Sequence, residues 1–451
     1  MKNVALFNLG CKVNSYETEG MIQLLAEKGY RIVPFGEKAD IYIINTCSVT
    51  NIADRKSRQM IHRARQMNPE AVVVAVGCYV QTSRQAVEAD DSIDLAIGNN
   101  RKRDIVAILE RYLEVRRDKT LQGTTIPDIG RIEEYEEMQL HRTAEHTRAY
   151  IKIQDGCNQF CSYCIIPYAR GRVRSRREED ILREIRGMAE AGYREVVLTG
   201  IHISSYGIDL GDAGGSQKQS GMPRYGGCGR LIELTERIHE IRGIDRIRLG
   251  SLEPRIMSPE TVKSLAALPK LCPHFHLSLQ SGCNATLKRM NRHYTVGEYY
   301  SCVENLRQCF DRPAITTDVI VGFPGETKEE FAETKEFLER VGFYEMHIFK
   351  YSRRTGTAAA RMPGQVPDAE KRSRSAVLLE LTKKQSREFR EAYIGREAEV
   401  LLEERHEIEG RSWWTGYTKD YVKVAVEAGE NRANTLVKVP IRGFLTDEIL
   451  R

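Results

Sequence analysis

Cys157, Cys161 and Cys164 form a C-x3-C-x2-C triplet. Three thiolates this close in sequence can grip one face of a cubic iron–sulfur cluster and leave its fourth iron without a protein ligand. Catalytic metal sites keep such an open position for a small molecule. A structural zinc or iron site is the competing reading. It calls for a fourth Cys or His nearby, and only His141 and His146 stand close upstream. Tyr163, just before the third cysteine, is placed either to lie against an adenine ring or to pack. A second set is scattered through the first hundred residues: Cys11, Cys47 and Cys78. Each follows an apolar run that reads as a strand, at 4–8, 41–45 and 72–76. In an open parallel sheet the carboxyl ends of the strands share one crevice, so thiols far apart in sequence can converge there. Each also precedes a helical pattern, whose N-terminus favours a thiolate. One such cysteine alone reads as a small buried hydrophobe, but three with the same placement read as the ligands of a second cluster. Cys228, Cys272, Cys283, Cys302 and Cys309 have no ligand spacing and read as core or incidental.

The elements that must position these thiols follow from hydrophobic periodicity. Up to residue 115, strands at 4–8, 41–45, 72–76 and 95–97 alternate with helices such as 16–28 and 54–66. That alternation means crossover units and an open parallel α/β sheet covered on both faces. Residues 116–147 are charged, carry Gly123, Pro127 and Gly130, and read as a linker with room for one short strand or helix. A second alternating series, assigned to 148–370, has strands at 150–153, 195–198, 246–249, 274–277, 316–321 and 345–349. Helices at 179–190, 231–241 and 328–341 lie between them, the last opened by a Thr327/Glu330 capping box. Six such units predict a partial (β/α)6 barrel, with Cys157 just past the end of its first strand, where barrels carry their active sites. Thr199 with Gly200, Ser251, Glu253, Ser278, Gln280 and Asp318 lie near other predicted strand ends and are candidates for holding a cofactor, Glu253 or Gln280 by hydrogen bonds. The glycines equally serve tight turns. Residues 211–229, rich in Gly, Ser and Gln, read as a mobile surface insertion. The remainder, 371–451, begins as a long charged helix and ends in strands at 397–402, 410–414, 421–426 and 434–441, which predict a small β-barrel.

Composition narrows the class. No apolar run approaches the roughly 18 residues of a membrane span, and the first residues lack the pattern of a signal peptide, so the expected compartment is the cytoplasm. Eleven cysteines in a reducing compartment point to metal or catalytic use rather than disulfides. A net charge of +5 permits a nucleic-acid partner without requiring one.

The stretch Asp155-Gly156-Cys157-Asn158-Gln159-Phe160-Cys161-Ser162-Tyr163-Cys164-Ile165-Ile166-Pro167 resembles the radical S-adenosylmethionine core of the methylthiotransferases. Three further segments resemble the N-terminal domain of the same family: Asn8-Leu9-Gly10-Cys11-Lys12-Val13-Asn14, Asn45-Thr46-Cys47-Ser48-Val49-Thr50 and Val76-Gly77-Cys78. The C-terminal strands are similar to a TRAM domain in pattern and position. The resemblance implies two [4Fe–4S] clusters and S-adenosylmethionine as cofactors. The cluster on Cys157, Cys161 and Cys164 would chelate S-adenosylmethionine and, given one electron from an unidentified donor, yield a 5′-deoxyadenosyl radical that takes a hydrogen from the substrate. The cluster on Cys11, Cys47 and Cys78 would supply the methylated sulfur.

Branches of that family act on threonylcarbamoyladenosine in tRNA, on isopentenyladenosine in tRNA, or on an aspartate of a ribosomal protein. Gly10-Cys11-Lys12-Val13-Asn14 and Ile153-Gln154-Asp155-Gly156-Cys157 most resemble the first, which implies tRNA as partner and position 37 as target. A non-catalytic iron–sulfur RNA-binding protein is the alternative of another class. Arg170, Arg172, Arg174, Arg176 and Arg177 form a basic run after the triplet. It can hold phosphates, or it can be a solvated loop or a partner for Glu178, Glu179 and Asp180. In the C-terminal segment Trp413, Trp414, Tyr417 and Tyr421, with Lys419 and Lys423, can stack bases and meet phosphates. Alternation along a strand would leave at most one of the two tryptophans fully inside.

Overall fold

The computed structural model describes residues 1–115, 123–142, 147–211, 229–427 and 429–451. Its first unit is a six-stranded parallel sheet in the order Arg31–Val33, Asn3–Asn8, Ile41–Thr46, Val72–Gly77, Leu95–Ile97, Gly123–Thr125. The strands Ile41–Thr46 and Val72–Gly77 are buried along their whole length, as near-continuous apolar runs covered on both faces must be. Ile41, Ile43, Val72 and Val74 face one core and Tyr42, Ile44, Val73 and Ala75 the other. The strand Gly123–Thr125, inside the stretch read as a linker, closes this sheet by pairing in register with Leu95–Ile97.

Six parallel strands follow: Arg148–Asp155, Glu195–Gly200, Arg246–Leu249, His274–His276, Ala314–Val321 and Glu345–Lys350. Ladders join the first three and the last three, and single bridges such as Leu252↔Leu277 join the halves. Helices Glu178–Glu190, Gly229–His239, Val296–Cys309 and Lys328–Val341 lie between the strands. The last starts at a full Thr327/Glu330 capping box, as the sequence predicts. Among the described residues no pairing joins Arg148–Asp155 to Glu345–Lys350, so the partial barrel is open on that side. Most of the glycine-rich insertion, and Cys228 with it, lies outside the described residues.

Helix Asp368–Glu391 leads to a six-stranded C-terminal sheet in the order Leu436–Pro440, Glu397–Ile408, Arg411–Tyr417, Lys423–Glu427, Ile449–Leu450, Phe444–Thr446. Its pairings are antiparallel except that of Lys423–Glu427 with Ile449–Leu450. Trp413 and Trp414 point to opposite faces, yet both are buried, which corrects the expectation that at most one lies inside. Trp414 Nε1 donates to the Glu430 carbonyl at 3.1 Å. Neither indole offers a free face to a base. The sheet packs on the amino ends of the barrel strands. Arg246 donates to the carbonyls of Tyr417 (2.8 Å) and Glu399 (2.9 Å), and Arg248 to that of Lys419 (3.0 Å). Tyr417 and Tyr421 stack on each other at 4.6 Å, with the Arg148 guanidinium 5.0 Å from each ring. These two rings are engaged within the fold rather than presented to RNA. No described helix is long and apolar enough to cross a membrane.

The N-terminal sheet is fixed to the barrel by helix Lys12–Glu27, which lies against strand Arg148–Asp155. Their shared surface holds a buried set of charges. Glu17 accepts from Lys102, from Lys152 at 2.7 Å and from Arg170 at 2.6 Å. Asp155 accepts from Lys152 at 2.7 Å and Arg170 at 3.0 Å. Burial alone would raise both carboxyl pKa values, but the cations outweigh it, holding Glu17 well below the usual carboxylate range and Asp155 at about 2. Replacing Glu17 by Gln takes the shared carboxylate from three buried cations, Lys102, Lys152 and Arg170, and is expected to cost about 3–5 kcal/mol, read as a lower denaturant midpoint. Both carboxyls are more acidic folded than unfolded. Their stabilisation is therefore complete above the unfolded value of about 4 and is lost as pH falls toward about 2. Equilibrium unfolding followed by circular dichroism from pH 6 to pH 3 should show stability falling, with a shallower slope in E17Q.

Candidate active site

Each thiol of the scattered set follows a strand of the parallel sheet, and the three strands concerned are adjacent. Cys47 and Cys78 come directly after Ile41–Thr46 and Val72–Gly77, and Cys11 comes three residues after Asn3–Asn8. Cys11 is the N-cap of the 16-residue helix Lys12–Glu27, and Cys78 opens the short helix Cys78–Thr82. Cys47 instead has its backbone N–H on Ser57 Oγ at 3.3 Å, and the helix beyond it is capped by Thr50. The three thiols feel one another electrostatically, which places them in one crevice.

The triplet sits past the end of barrel strand Arg148–Asp155. Cys157 N–H bonds the Gly171 carbonyl (3.0 Å) and Ser162 N–H that of Met290 (3.0 Å), so the loop is pinned on both sides. Glycines with positive φ precede Cys11, Cys78 and Cys157, because the chain must turn sharply where another group crowds it. A Cβ on Gly10 would meet Cys47 Sγ at 3.0 Å, and one on Gly156 would fall 1.8 Å from the Arg172 carbonyl oxygen.

The donor set suits iron–sulfur clusters. Arg292 Nη1 donates to Cys161 Sγ at 3.2 Å, the Gln159 backbone N–H to Cys157 Sγ at 3.5 Å, and Asn99 Nδ2 to Cys78 Sγ at 3.5 Å. Hydrogen bonds to sulfur are the means by which proteins stabilise and tune such clusters. Burial pushes the Cys157 and Cys47 thiols up to about 11 and Cys164 up to about 12. They become thiolates only with a cation bound, with release of their protons.

The two sets face each other. Helix Ile166–Arg170, just after the triplet, packs on helix Cys78–Thr82. Asn99, besides reaching Cys78, donates to the Ala169 carbonyl at 2.8 Å. Across the cleft Arg354 donates to Ser48 Oγ (2.6 Å) and pairs with Asp54 (2.5 Å), clamping the segment after Cys47 to the barrel.

The other sequence-derived candidates divide. Glu253 is beside the triplet: it accepts from Gln159 at 3.2 Å and Arg255 at 2.6 Å, with His202 at 3.6 Å. The Ser278 carbonyl accepts from Tyr294 Oη (2.6 Å), and Tyr294 in turn holds Arg292 (3.1 Å). Gln280 is buried with φ +71, a strained left-handed backbone. Gly200 closes on Gln154, where a Cβ would meet the carbonyl oxygen at 2.9 Å. Tyr163 packs edge-on against Phe323 at 6.3 Å, and Ser251 is exposed. Asp318 is in mid-strand rather than at a strand end. It lies between His276 (3.3 Å) and His347 (3.1 Å), whose hydrogen bonds outweigh burial and hold its carboxyl far below the usual range. The basic run does not behave as expected of a solvated or phosphate-holding loop. Arg170, Arg174 and Arg176 are buried, and Arg176 pairs with Glu137 (2.9 Å) and Glu184 rather than with Glu178–Asp180. Only Arg172 and Arg177 are exposed. Sequence reading missed Arg292, Asn99 and Glu17, because nothing local distinguishes them from surface polar residues.

Comparison with known proteins agrees with this arrangement. Residues 151–338 match the Radical SAM superfamily, and residues 3–98 match a family described as Uncharacterized protein family UPF0004. The fold is similar to that of the radical S-adenosylmethionine methyltransferase TsrM from Kitasatospora setae, solved with cobalamin and a [4Fe-4S] cluster. The TM-score is 0.56 at 15% identity, covering 79% of this chain and 77% of that one. Fold and thiol placement thus define a radical S-adenosylmethionine protein with a further cysteine set at its N-terminal sheet.

In sequence the chain is 40% identical to the threonylcarbamoyladenosine tRNA methylthiotransferase MtaB of Bacillus subtilis, over 98% of this chain and 94% of that one. It is 39% identical to the protein of the same name from Aquifex aeolicus, over 97% and 100%. It is 36% identical to the tRNA-2-methylthio-N(6)-dimethylallyladenosine synthase of Moorella thermoacetica, over 89% and 87%. The chain belongs to the radical S-adenosylmethionine family of tRNA methylthiotransferases.

Gly10→Ala is expected to displace Cys47 and to cut the iron and sulfide bound on anaerobic reconstitution by about half, one of two four-iron clusters. Gly187→Ala, whose Cβ would meet nothing within 4 Å, should keep the full complement.

Proposed function

We propose that this chain converts N6-threonylcarbamoyladenosine at position 37 of tRNA to its 2-methylthio derivative. One observation carries the reading: two three-cysteine sets, at the carboxyl ends of two parallel sheets, face each other across one cleft. A binding protein with a structural cluster has no use for the second set. The cofactors are S-adenosylmethionine and two [4Fe–4S] clusters, which when bound supply the radical and the methylated sulfur.

The chain's own residues hold and orient these groups. Cys157, Cys161 and Cys164 would ligate one cluster and Cys11, Cys47 and Cys78 the other. Arg292 places a positive charge on Cys161, and Asn99 steadies Cys78 while tying it to the helix after the triplet. Tyr163, Gly200, Ser251, Glu253, Ser278 and Gln280 line the strand-end region assigned to S-adenosylmethionine, with Glu253 already set beside the triplet loop through Gln159. Asp318, lower in the barrel, is oriented by its two histidines. We assign residues 1–115 to the sulfur-supplying domain, 116–147 to a linker, 148–370 to the radical domain and 371–451 to a connecting helix and TRAM-like module, on strand pattern and position. The electron comes from a separate donor, and the setting is the cytoplasm.

Reconstituted anaerobically with reductant and S-adenosylmethionine, the protein should form both 5′-deoxyadenosine and the 2-methylthio nucleoside on tRNA carrying threonylcarbamoyladenosine, read by nucleoside mass spectrometry. Alanine at Cys11, Cys47 or Cys78 should abolish the methylthio product and retain 5′-deoxyadenosine. Alanine at Cys157, Cys161 or Cys164 should abolish both. Methylthio product on isopentenyladenosine tRNA alone would move the substrate to the other tRNA branch. Neither product from a fully iron-loaded protein would overturn the catalytic reading.

A further inference from the structure

The open barrel holds a cation that the chain itself does not neutralise. Lys12 follows Cys11 directly and is the first residue of helix Lys12–Glu27. Its side chain is reached by solvent, yet it projects into the barrel, with Nζ 5.9 Å from the centre of the Tyr150 ring. Around it are Arg148, Arg248 and Glu195, and also His274 and His347.

The other charged members of this group are already matched. Arg148 pairs with Glu403 at 2.9 Å, Arg248 with Glu195 at 2.9 Å, and His347 with Asp318 at 3.1 Å. Among the described residues no carboxylate lies within 4.0 Å of Lys12. A lysine set among guanidinium groups, with the carboxylates around it engaged by Arg148, Arg248 and His347, is a place prepared for an anion from outside.

We infer that Lys12 receives the carboxylate of the threonylcarbamoyl side chain and so selects this acidic modified adenosine over neutral ones. The inference rests on the proposed function. The sulfur joins C2 of the base while the anionic group hangs from N6, so one bound base must present one position to the sulfur-supplying thiols and its substituent elsewhere. Adjacent Cα atoms are about 3.8 Å apart. Cys11 and Lys12 therefore bring a sulfur-supplying thiol and the cation to one short stretch of chain, as a base offering C2 to one and its N6 substituent to the other requires.

Two other anions fit less well. The carboxylate of S-adenosylmethionine belongs at the triplet, past the far end of strand Arg148–Asp155, whereas Lys12 lies near that strand's beginning at Arg148 and Tyr150. A backbone phosphate would have to enter the barrel to meet it.

The test compares two anticodon stem-loop RNAs, one carrying threonylcarbamoyladenosine and one its carboxamide, which is isosteric but uncharged. The iron-loaded wild type should favour the acid by about tenfold or more in kcat/KM, the worth of a charged hydrogen bond. Lys12→Met should lose a similar factor on the acid and little on the carboxamide, so the preference collapses. Lys12→Arg should keep it, which separates charge recognition from a folding defect. A K12M enzyme that still prefers the acid by the wild-type factor overturns the inference, as does a wild type indifferent to the swap. If the wild type methylthiolates neither RNA but does act on an isopentenyladenosine stem-loop, the substrate reading beneath the inference has failed instead.

Discussion

The arrangement depends on the buried ion set joining Glu17, Lys102, Lys152, Asp155 and Arg170. These charges belong to different units. Glu17 is on the first helix and Lys102 near the last helix of the N-terminal sheet, while Lys152, Asp155 and Arg170 belong to the barrel. Burying charge costs several kcal/mol per ion unless every partner is in place. The two units can close only where Glu17 meets all three cations, and few relative placements satisfy that. Apolar residues there could be as stable, but they would allow the units to slide. Arg170 also ends the helix that follows the cysteine triplet, and Cys11 feels its charge. The interaction that sets the register between domains therefore touches both thiol sets.

Once that register is set, the facing parts follow. The crevice of the parallel sheet lies opposite the top of the barrel, and Asn99 and Arg354 bind each side of the cleft to the other. Glycine at positions 10, 77 and 156 lets the chain turn beside crowding neighbours so that the next residue, a cysteine, points into the cleft. The C-terminal sheet takes the opposite end of the barrel. There Arg148, Arg246 and Arg248 are consumed by carboxylates, carbonyls and the Tyr417–Tyr421 stack. Residues that look like an RNA-binding set in sequence thus serve as mortar between domains.

Most of the strands and helices, and the placement of both cysteine sets just past strand ends, were legible in the sequence, because period-2 and period-3.6 patterns and the order of elements are local properties. So were the capping box at Thr327 and the six-strand count of the barrel. The strand Arg31–Val33 was not, and neither was the place of Gly123–Thr125 in the sheet, since three residues carry no periodicity and only the edges left by Asn3–Asn8 and Leu95–Ile97 make them strands. The arginine run after the triplet misled for a related reason. Charge is read from sequence as exposure, while Arg170, Arg174 and Arg176 are buried, and acids more than thirty residues away come to meet two of them, Glu17 for Arg170 and Glu137 for Arg176.

By itself, then, the sequence determined the chemistry: which thiols, at which strand ends, on which kind of sheet. Types and spacing suffice for that, because a C-x3-C-x2-C loop brings its own ligands together. Only the tertiary structure decided that the two sets share one cleft, that Arg292 supports Cys161, and that Lys12 stands unpaired inside the barrel. Those facts are relations between residues seventy or more positions apart. They come from packing and from the need to pair buried charge, neither of which leaves a periodic or local trace in the chain.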